Sequence, residues 1–331
     1  LQADPALESV GLVIFDEFHE RSLDSDLCLA LSLAGREMFR EGSPLKLLVM
    51  SATLDAGPVA ALIDDAPVIT SAGRQYPVTT YFGQAYQLRE SIVSVTVATI
   101  QRAIKEQQGS ILVFLPGQRE INAVARDLGG SVPAGTRICP LYGGLPLEQQ
   151  QQAVAPAPEG ERKVVLATNV AETSLTIEGV STVVDSGLVR EALFDPATGM
   201  TRLTTRRVSR ASATQRKGRA GRLGPGHCYR LWSEEQHQRL VAHTEPEILH
   251  SDLAPLVLQL LAWGVNDPAE LRWLNLPPEA PFQQAQDLLE SSGALFYKAD
   301  GAPQLTPHGV LLAQMPLHPR LAHMLLVGCD I

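Results

Sequence analysis

Residues 10–21 read VGLVIFDEFHER, and residues 45–53 read LKLLVMSAT. Each stretch opens on a short apolar run, the composition of a strand buried inside a parallel sheet. The first run stops at Asp16-Glu17 and the second at Ser51-Ala52-Thr53. Polar groups at the ends of buried strands are where parallel α/β sheets present their chemistry. Residues 23–39 and 57–63 carry helical patterns, so the order is strand, helix, strand, helix. That order specifies an α/β class with a parallel sheet.

Outward from this segment, residues 72–77 read as a linker with a turn, and the α/β rhythm then restarts. Helices are expected at 92–107 and 120–128, and strands at 110–115, 137–141, 163–167 and 182–185. From about residue 245 the pattern changes. An amphipathic helix is expected at 253–264, a break at Pro277-Pro278, a helix at 283–293, and a hairpin at 294–305 around Asp300-Gly301. Helix, helix, hairpin suggests a winged-helix unit. Residues 307–331 begin a further helical segment. The expected domains are therefore 1–72, 73–235, 245–305 and 306–331.

The 331 residues allow two or three domains, each with its own core. Net charge is −9, so nucleic-acid binding is not written in the bulk composition and would need a local patch. Residues 202–222 supply one, with seven arginines, one lysine and no carboxylate. Cys28, Cys139, Cys228 and Cys329 form no CxxC pair, which points away from zinc or a disulfide framework and towards a reducing, cytoplasmic setting. No apolar run reaches the roughly 18 residues of a membrane span, so no membrane partner is expected. His308, His318 and His323 lack acidic or cysteine partners at ligand spacing and read as surface or interface histidines.

Five segments carry chemistry. Asp16-Glu17 at a strand end can divide labour: one carboxylate holds magnesium through water, the other orients the water attacking a γ-phosphate. The plainer alternative is a solvated acidic turn. In residues 215–222, QRKGRAGR, glycines between arginines would let several guanidinium groups converge on one phosphate. A basic surface helix is the alternative. Residues 167–177, ATNVAETSLTI, place hydroxyl and amide groups after a strand, suited to phosphate contacts or to a helix cap. Residues 114–121 (FLPGQREI) and 141–146 (LYGGLP) hold glycines that permit close backbone approach, or are ordinary strand-to-helix turns.

Together these segments carry a family resemblance. VIFDEFHER followed by LLVMSATLD resembles motifs II and III of superfamily 2 helicases of the DEAH class, and the DEFH variant looks like the bacterial HrpB-type branch. FLPGQREI resembles motif IV, ATNVAETSLTI motif V and QRKGRAGR motif VI. The resemblance implies tandem RecA-like parallel-sheet domains, the first incomplete, then a winged-helix unit and the start of a helical bundle. It implies an ATP-dependent RNA helicase using ATP and Mg2+, with nucleotide between the two α/β domains and a single strand of RNA, or alternatively DNA, in the motor groove. Asp16 would hold magnesium through water with Glu17 beside it as general base, and His19, Ser51 and Thr53 would couple hydrolysis to motion. Arg219 and Arg222 would be arginine fingers, with Gln215 near the attacking water. Ser174, Thr176 and Glu178 would serve the nucleotide, Glu178 as a ribose contact. Gly117, Gln118, Gly143, Thr168 and Asn169 would contact nucleic acid. Residues 200–208 would belong to a strand-separating hairpin. Phe18 replaces the alanine of the motif's name, with little effect on chemistry expected.

No Gly-Lys dipeptide occurs in the sequence, so the phosphate-binding loop that the family carries upstream of motif II is not among these residues. The expectation is a truncated fragment of a larger motor, inactive alone or limited to binding nucleic acid, with exposed apolar strand edges. A non-unwinding translocase ATPase is the other reading of the parent.

Overall fold

The computed structural model describes residues 1–331 apart from 41, 43, 53–54, 72, 74–75, 173–176, 197 and 329–331. Its elements in chain order begin with β1 (Leu12–Phe15), α1 (Leu23–Phe39), β2 (Lys46–Val49) and α2 (Ala56–Leu62). Next come β3 (Val78–Phe82), α3 (Val93–Glu106), β4 (Ser110–Phe114), α4 (Gln118–Leu128), β5 (Thr136–Leu141), α5 (Leu147–Val154), β6 (Arg162–Ala167) and β7 (Val180–Asp185). A hairpin of β8 (Leu188–Asp195) and β9 (Met200–Arg207) follows, then α6 (Arg210–Gly218), β10 (Gly226–Arg230) and α7 (Glu234–Gln238). The chain closes with α8 (Ala254–Trp263), α9 (Glu279–Ser291), β11 (Leu295–Tyr297), β12 (Pro303–Leu305), α10 (Pro307–Gln314) and α11 (Pro319–Gly328).

Two compact units result. One comprises residues 1–70, 192–202 and 245–331, and the other 71–191 and 203–244. In the second, six parallel strands run in the order β3-β10-β7-β4-β6-β5. Side chains alternate along a strand, so β4 feeds two cores. Ile111 and Val113 pack with Ile100, Ala103 and Ile104 of α3 and with Ile121, Val124 and Leu128 of α4. Leu112 and Phe114 pack on the opposite face with Ala153 of α5 and Ala220. Both faces are covered, as a parallel sheet requires.

The sequence reading found β4, β5, β6 and β7 but missed the edge strand β3 and its inner neighbour β10. Those strands, VTTYF and GHCYR, mix hydroxyls, a histidine and an arginine with their apolar residues, so neither shows a continuous apolar run. It also found only the second arm of the β8–β9 hairpin.

In the first unit β1 and β2 pair in parallel, from Leu12 opposite Lys46 to Phe15 opposite Val49. Phe15, Phe18, Leu29, Leu33, Val59 and Ile63 make a core beneath them. Leu12, Ile14, Leu48 and Met50 are exposed, which leaves apolar side chains on one face of this pair uncovered. The other side of α1, at Leu27, Ala30 and Leu31, joins a core with Ile248, Leu256, Val257, Leu260, Leu289 and Leu312.

The expected helix, helix, hairpin order is present, with β11 and β12 antiparallel. The second of those helices starts at Glu279 rather than 283. Pro281 lies in its first turn, where a missing N–H costs nothing. The helical segment expected from 307 is two helices, parted at Pro316 and Pro319, which cannot continue an α-helical ladder.

Candidate functional site

The carboxylate segment leaves β1 through two residues in left-handed backbone. Glu17 has φ 48° and Arg21 φ 50°, and the short 3-10 turn Phe18–Glu20 lies between them. Such conformations cost about 1–3 kcal/mol each in non-glycine residues and persist where surrounding contacts enforce them. The enforcing contacts are visible. Met50 donates its N–H to the Phe15 carbonyl at 2.8 Å, and Phe18 donates to the Met50 carbonyl at 3.0 Å. Phe18 is 1% exposed and meets Phe15 edge-on at 6.1 Å. Its side chain points into the core, consistent with the expectation that it takes no part in the chemistry.

Asp16 is exposed, and one of its oxygens accepts the Glu17 N–H at 2.8 Å. His19 is brought between the two nominated segments. Its Nδ1 lies 3.5 Å from Glu17 Oε2 and 3.4 Å from the Ala52 N–H, beside Ser51. Thr53, Ser174 and Thr176 lie outside the described residues. Among the described residues no group of three or more His, Cys, Asp or Glu side chains could cage a metal ion. One exposed carboxylate beside a second still fits magnesium, which keeps most of its waters and takes only one or two protein oxygens in phosphate-handling sites.

Arg21 is a residue that sequence reasoning passed over. It is 7% exposed and forks onto Asp26 with two bonds of 2.9 Å. It also donates to Asn275 Oδ1 at 2.8 Å, and its carbonyl accepts from the Glu247 N–H at 3.1 Å. The end of the carboxylate segment is thus tied to residues more than 200 positions away, a link with no local signature in the sequence.

In the second unit, the nominated nucleic-acid residues gather at the C-terminal ends of adjacent strands β4, β6 and β5. Gln118 donates to the Tyr142 hydroxyl at 3.0 Å, beside Gly143, and the Thr168 N–H reaches the Leu141 carbonyl at 3.3 Å. Asn169 is exposed in the turn that follows Thr168. Gly117 also has a close neighbour within the chain. A Cβ there would lie 2.5 Å from the Arg190 guanidinium, which bonds Glu120 at 3.2 Å. Glu178, expected at the nucleotide rather than on this edge, lies elsewhere. It sits in the turn before β7, next to Gly179, whose carbonyl accepts from Ser110 at the start of β4.

The arginine segment departs most from expectation. Gly218 has an ordinary helical φ of −58°. Gly221 is needed because a Cβ would stand 2.7 Å from the Tyr76 carbonyl oxygen, so close packing, not turn geometry, calls for it. The guanidinium groups do not all face outward. Arg216 is 1% exposed, bonds Glu172 at 2.7 Å and Asp185 at 3.0 Å, and lies 4.9 Å over the Phe114 ring. Arg219 is 7% exposed and donates from Nε to the Glu172 carbonyl at 2.7 Å. Arg222 is exposed, and Gln215 is half-buried on α6. The basic patch expected over 202–222 is therefore smaller than its arginine count, because two of those arginines are internal. A signal for Asp185 did exist: residues 182–185 end an apolar run on a carboxylate, as residues 10–16 do.

Residues 95–224 match the family described as Helicase conserved C-terminal domain. The chain is 48% identical over 327 residues to the ATP-dependent RNA helicase HrpB of Escherichia coli (strain K12), covering 98% of this chain and 39% of that protein. It is 38% identical over 336 residues to the pre-mRNA-splicing factor ATP-dependent RNA helicase prp22 of Schizosaccharomyces pombe, covering 99% of this chain and 28% of the relative. The crystal structure of the Escherichia coli DEAH/RHA helicase HrpB superposes with a TM-score of 0.89 at 47% identity, over 98% of this chain and 40% of that one. Over the residues it spans, the chain is similar to helicases of the DEAH/RHA kind. It spans about two fifths of the HrpB relative's length. The match to the helicase C-terminal family takes in four of the six strands of the parallel sheet, β4, β5, β6 and β7.

Proposed function

We propose that these residues form part of an ATP-dependent RNA helicase motor. The observation that carries the reading is the Asp16–His19 turn, held in left-handed backbone at a strand end with His19 against the Ala52 N–H. Asp16 binds magnesium through water, Glu17 takes the proton of the water attacking the γ-phosphate, and His19 with Ser51 and Thr53 relays the event. Magnesium supplies charge neutralisation at the phosphates. Arg219 and Arg222 stabilise the charge of phosphoryl transfer, with Gln215 beside the water and Ser174, Thr176 and Glu178 at the nucleotide. Gly117, Gln118, Gly143, Thr168 and Asn169 form the face for a single RNA strand, with DNA as the alternative strand. The domain division 1–72, 73–235, 245–305 and 306–331 and a cytoplasmic setting belong to the same reading. No helix among the described residues is long and apolar enough to cross a membrane.

The test is RNA-stimulated ATP hydrolysis in a polypeptide that joins these residues to a phosphate-binding loop. Glu17→Gln is expected to bind ATP normally while turnover falls by about 10²–10⁴-fold, the range for a lost general base. Turnover near the parent rate would remove Glu17 from that role.

A further inference from the structure

The base of the β8–β9 hairpin borders two adjoining grooves of the second unit. One, of about 920 Å3, runs past the start of α3 and the outer side of α4 to Thr205. The other, of about 800 Å3, lies beside residues 87–90 and reaches Arg207 and Arg239. Arg89 and Glu90 line both, so the two form one trough.

In a chain of net charge −9 this trough has the opposite sign. Arg89, Arg119, Arg207 and Arg239 line it, and none of the four is ion-paired with another described residue. Two of its three carboxylates are already neutralised. Arg190 holds Glu120 at 3.2 Å, and Arg126 holds Asp127 at 3.3 Å. Glu90 alone remains against four guanidinium groups.

Arg207 is fixed in place. Its guanidinium lies 4.6 Å over the Tyr86 ring and donates to the Tyr86 carbonyl at 2.5 Å, with further N–H donors to spare. The start of α3 adds to the field. Ser91 and Ser94 line the trough there, Ile92 provides no side-chain cap, and the first turn has no acid. Charges spread along a trough, rather than gathered at one point, suit a polymer with a repeated negative charge.

We propose that this trough binds the phosphodiester backbone of a single nucleic-acid strand, as a second contact beside the hairpin base and apart from the strand-end face at Gln118, Tyr142 and Thr168. It rests on the nucleic-acid reading above and extends that reading from Arg119 of the motif IV segment to Arg89 and Arg239, which no motif marks.

The test is fluorescence anisotropy of a labelled oligouridylate with this chain across a salt series. Arg89→Ala/Arg239→Ala removes two exposed side chains. Binding is expected to weaken several-fold at low salt. The slope of log K against log salt should flatten by about 1.4, because each phosphate contact on a single strand contributes about 0.7. Arg89→Lys/Arg239→Lys should keep the slope. A circular dichroism melt confirms that the variants fold. An unchanged slope and affinity in the alanine variant, with binding weakened by Thr168→Ala/Asn169→Ala, would overturn the trough and leave the helicase reading standing. No binding by the parent chain would overturn both. Polyglutamate displacing the oligouridylate more strongly than unlabelled RNA of equal charge would give the trough to an acidic protein segment and end the proposal.

Discussion

The carboxylate segment of the first unit and the arginine segment of the second hold their charges in opposite ways. Asp16 is exposed, and Glu17 is held in place by its backbone rather than by a buried counter-charge. Arg216 is wholly internal, and its guanidinium is shared between Glu172 and Asp185. The difference follows from desolvation. A carboxylate left in water has no buried partner to fix it, so its position is set through backbone contacts and the core beneath, which suits the hydrated cation proposed for Asp16. A guanidinium taken out of water must find carboxylates inside, and those partners then fix the loops that carry them.

Removing the internal charge should have the largest effect. Arg216→Ala leaves Asp185 buried without its cation, and a loss of about 3–5 kcal/mol is expected. Hydrogen exchange at β7 and urea unfolding measure it, and a loss under about 1 kcal/mol would place the two segments in the same class. Phe18→Ala, which restores the residue in the motif's name, should cost about 3 kcal/mol by opening the core under the carboxylates. Hydrolysis per folded molecule should be unchanged in a polypeptide that also carries a phosphate-binding loop. A fall in turnover out of proportion to folding would show that Phe18 positions Glu17.

The smallest effect is expected at an ion pair that is neither internal nor catalytic. Asp252 bonds His318 at 3.0 Å and the Ala254 N–H at 2.9 Å. Burial acts to raise the Asp252 carboxyl, but His318, the Ala254 amide and Arg320 outweigh it and hold it below the usual carboxylate range. A lowered carboxyl contributes stability that is present above the unfolded value and lost as pH falls through the folded one. Asp252→Asn should therefore cost up to about 1 kcal/mol at neutral pH. The difference from the parent should shrink in urea titrations as the pH drops below about 4. A gap that stays constant with pH would assign the effect to packing.

Much of the site was legible because its signals are local. A run of Val, Ile and Leu that ends on Asp-Glu marks a strand end, and β4, β6 and β7 were legible in the same way. β3 and β10 were not, since their polar residues hide the alternation. The roles of the two glycines were also hidden. A Cβ at Gly221 would meet the Tyr76 carbonyl and one at Gly117 the Arg190 guanidinium, neighbours that lie about 145 and 70 positions away in the chain.

By itself the sequence determined the α/β class, the order of the strand-end segments, and which residue types stand ready for phosphate chemistry. These depend on side-chain periodicity and on neighbours within a few positions. Only the tertiary structure decided which charges stay in water. That choice turned on partners such as Glu172 and Asp185 for Arg216, and Asn275 for Arg21, which folding alone brings within hydrogen-bond reach. An arginine's charge is fixed by its chemistry, but its burial is set by what packs around it.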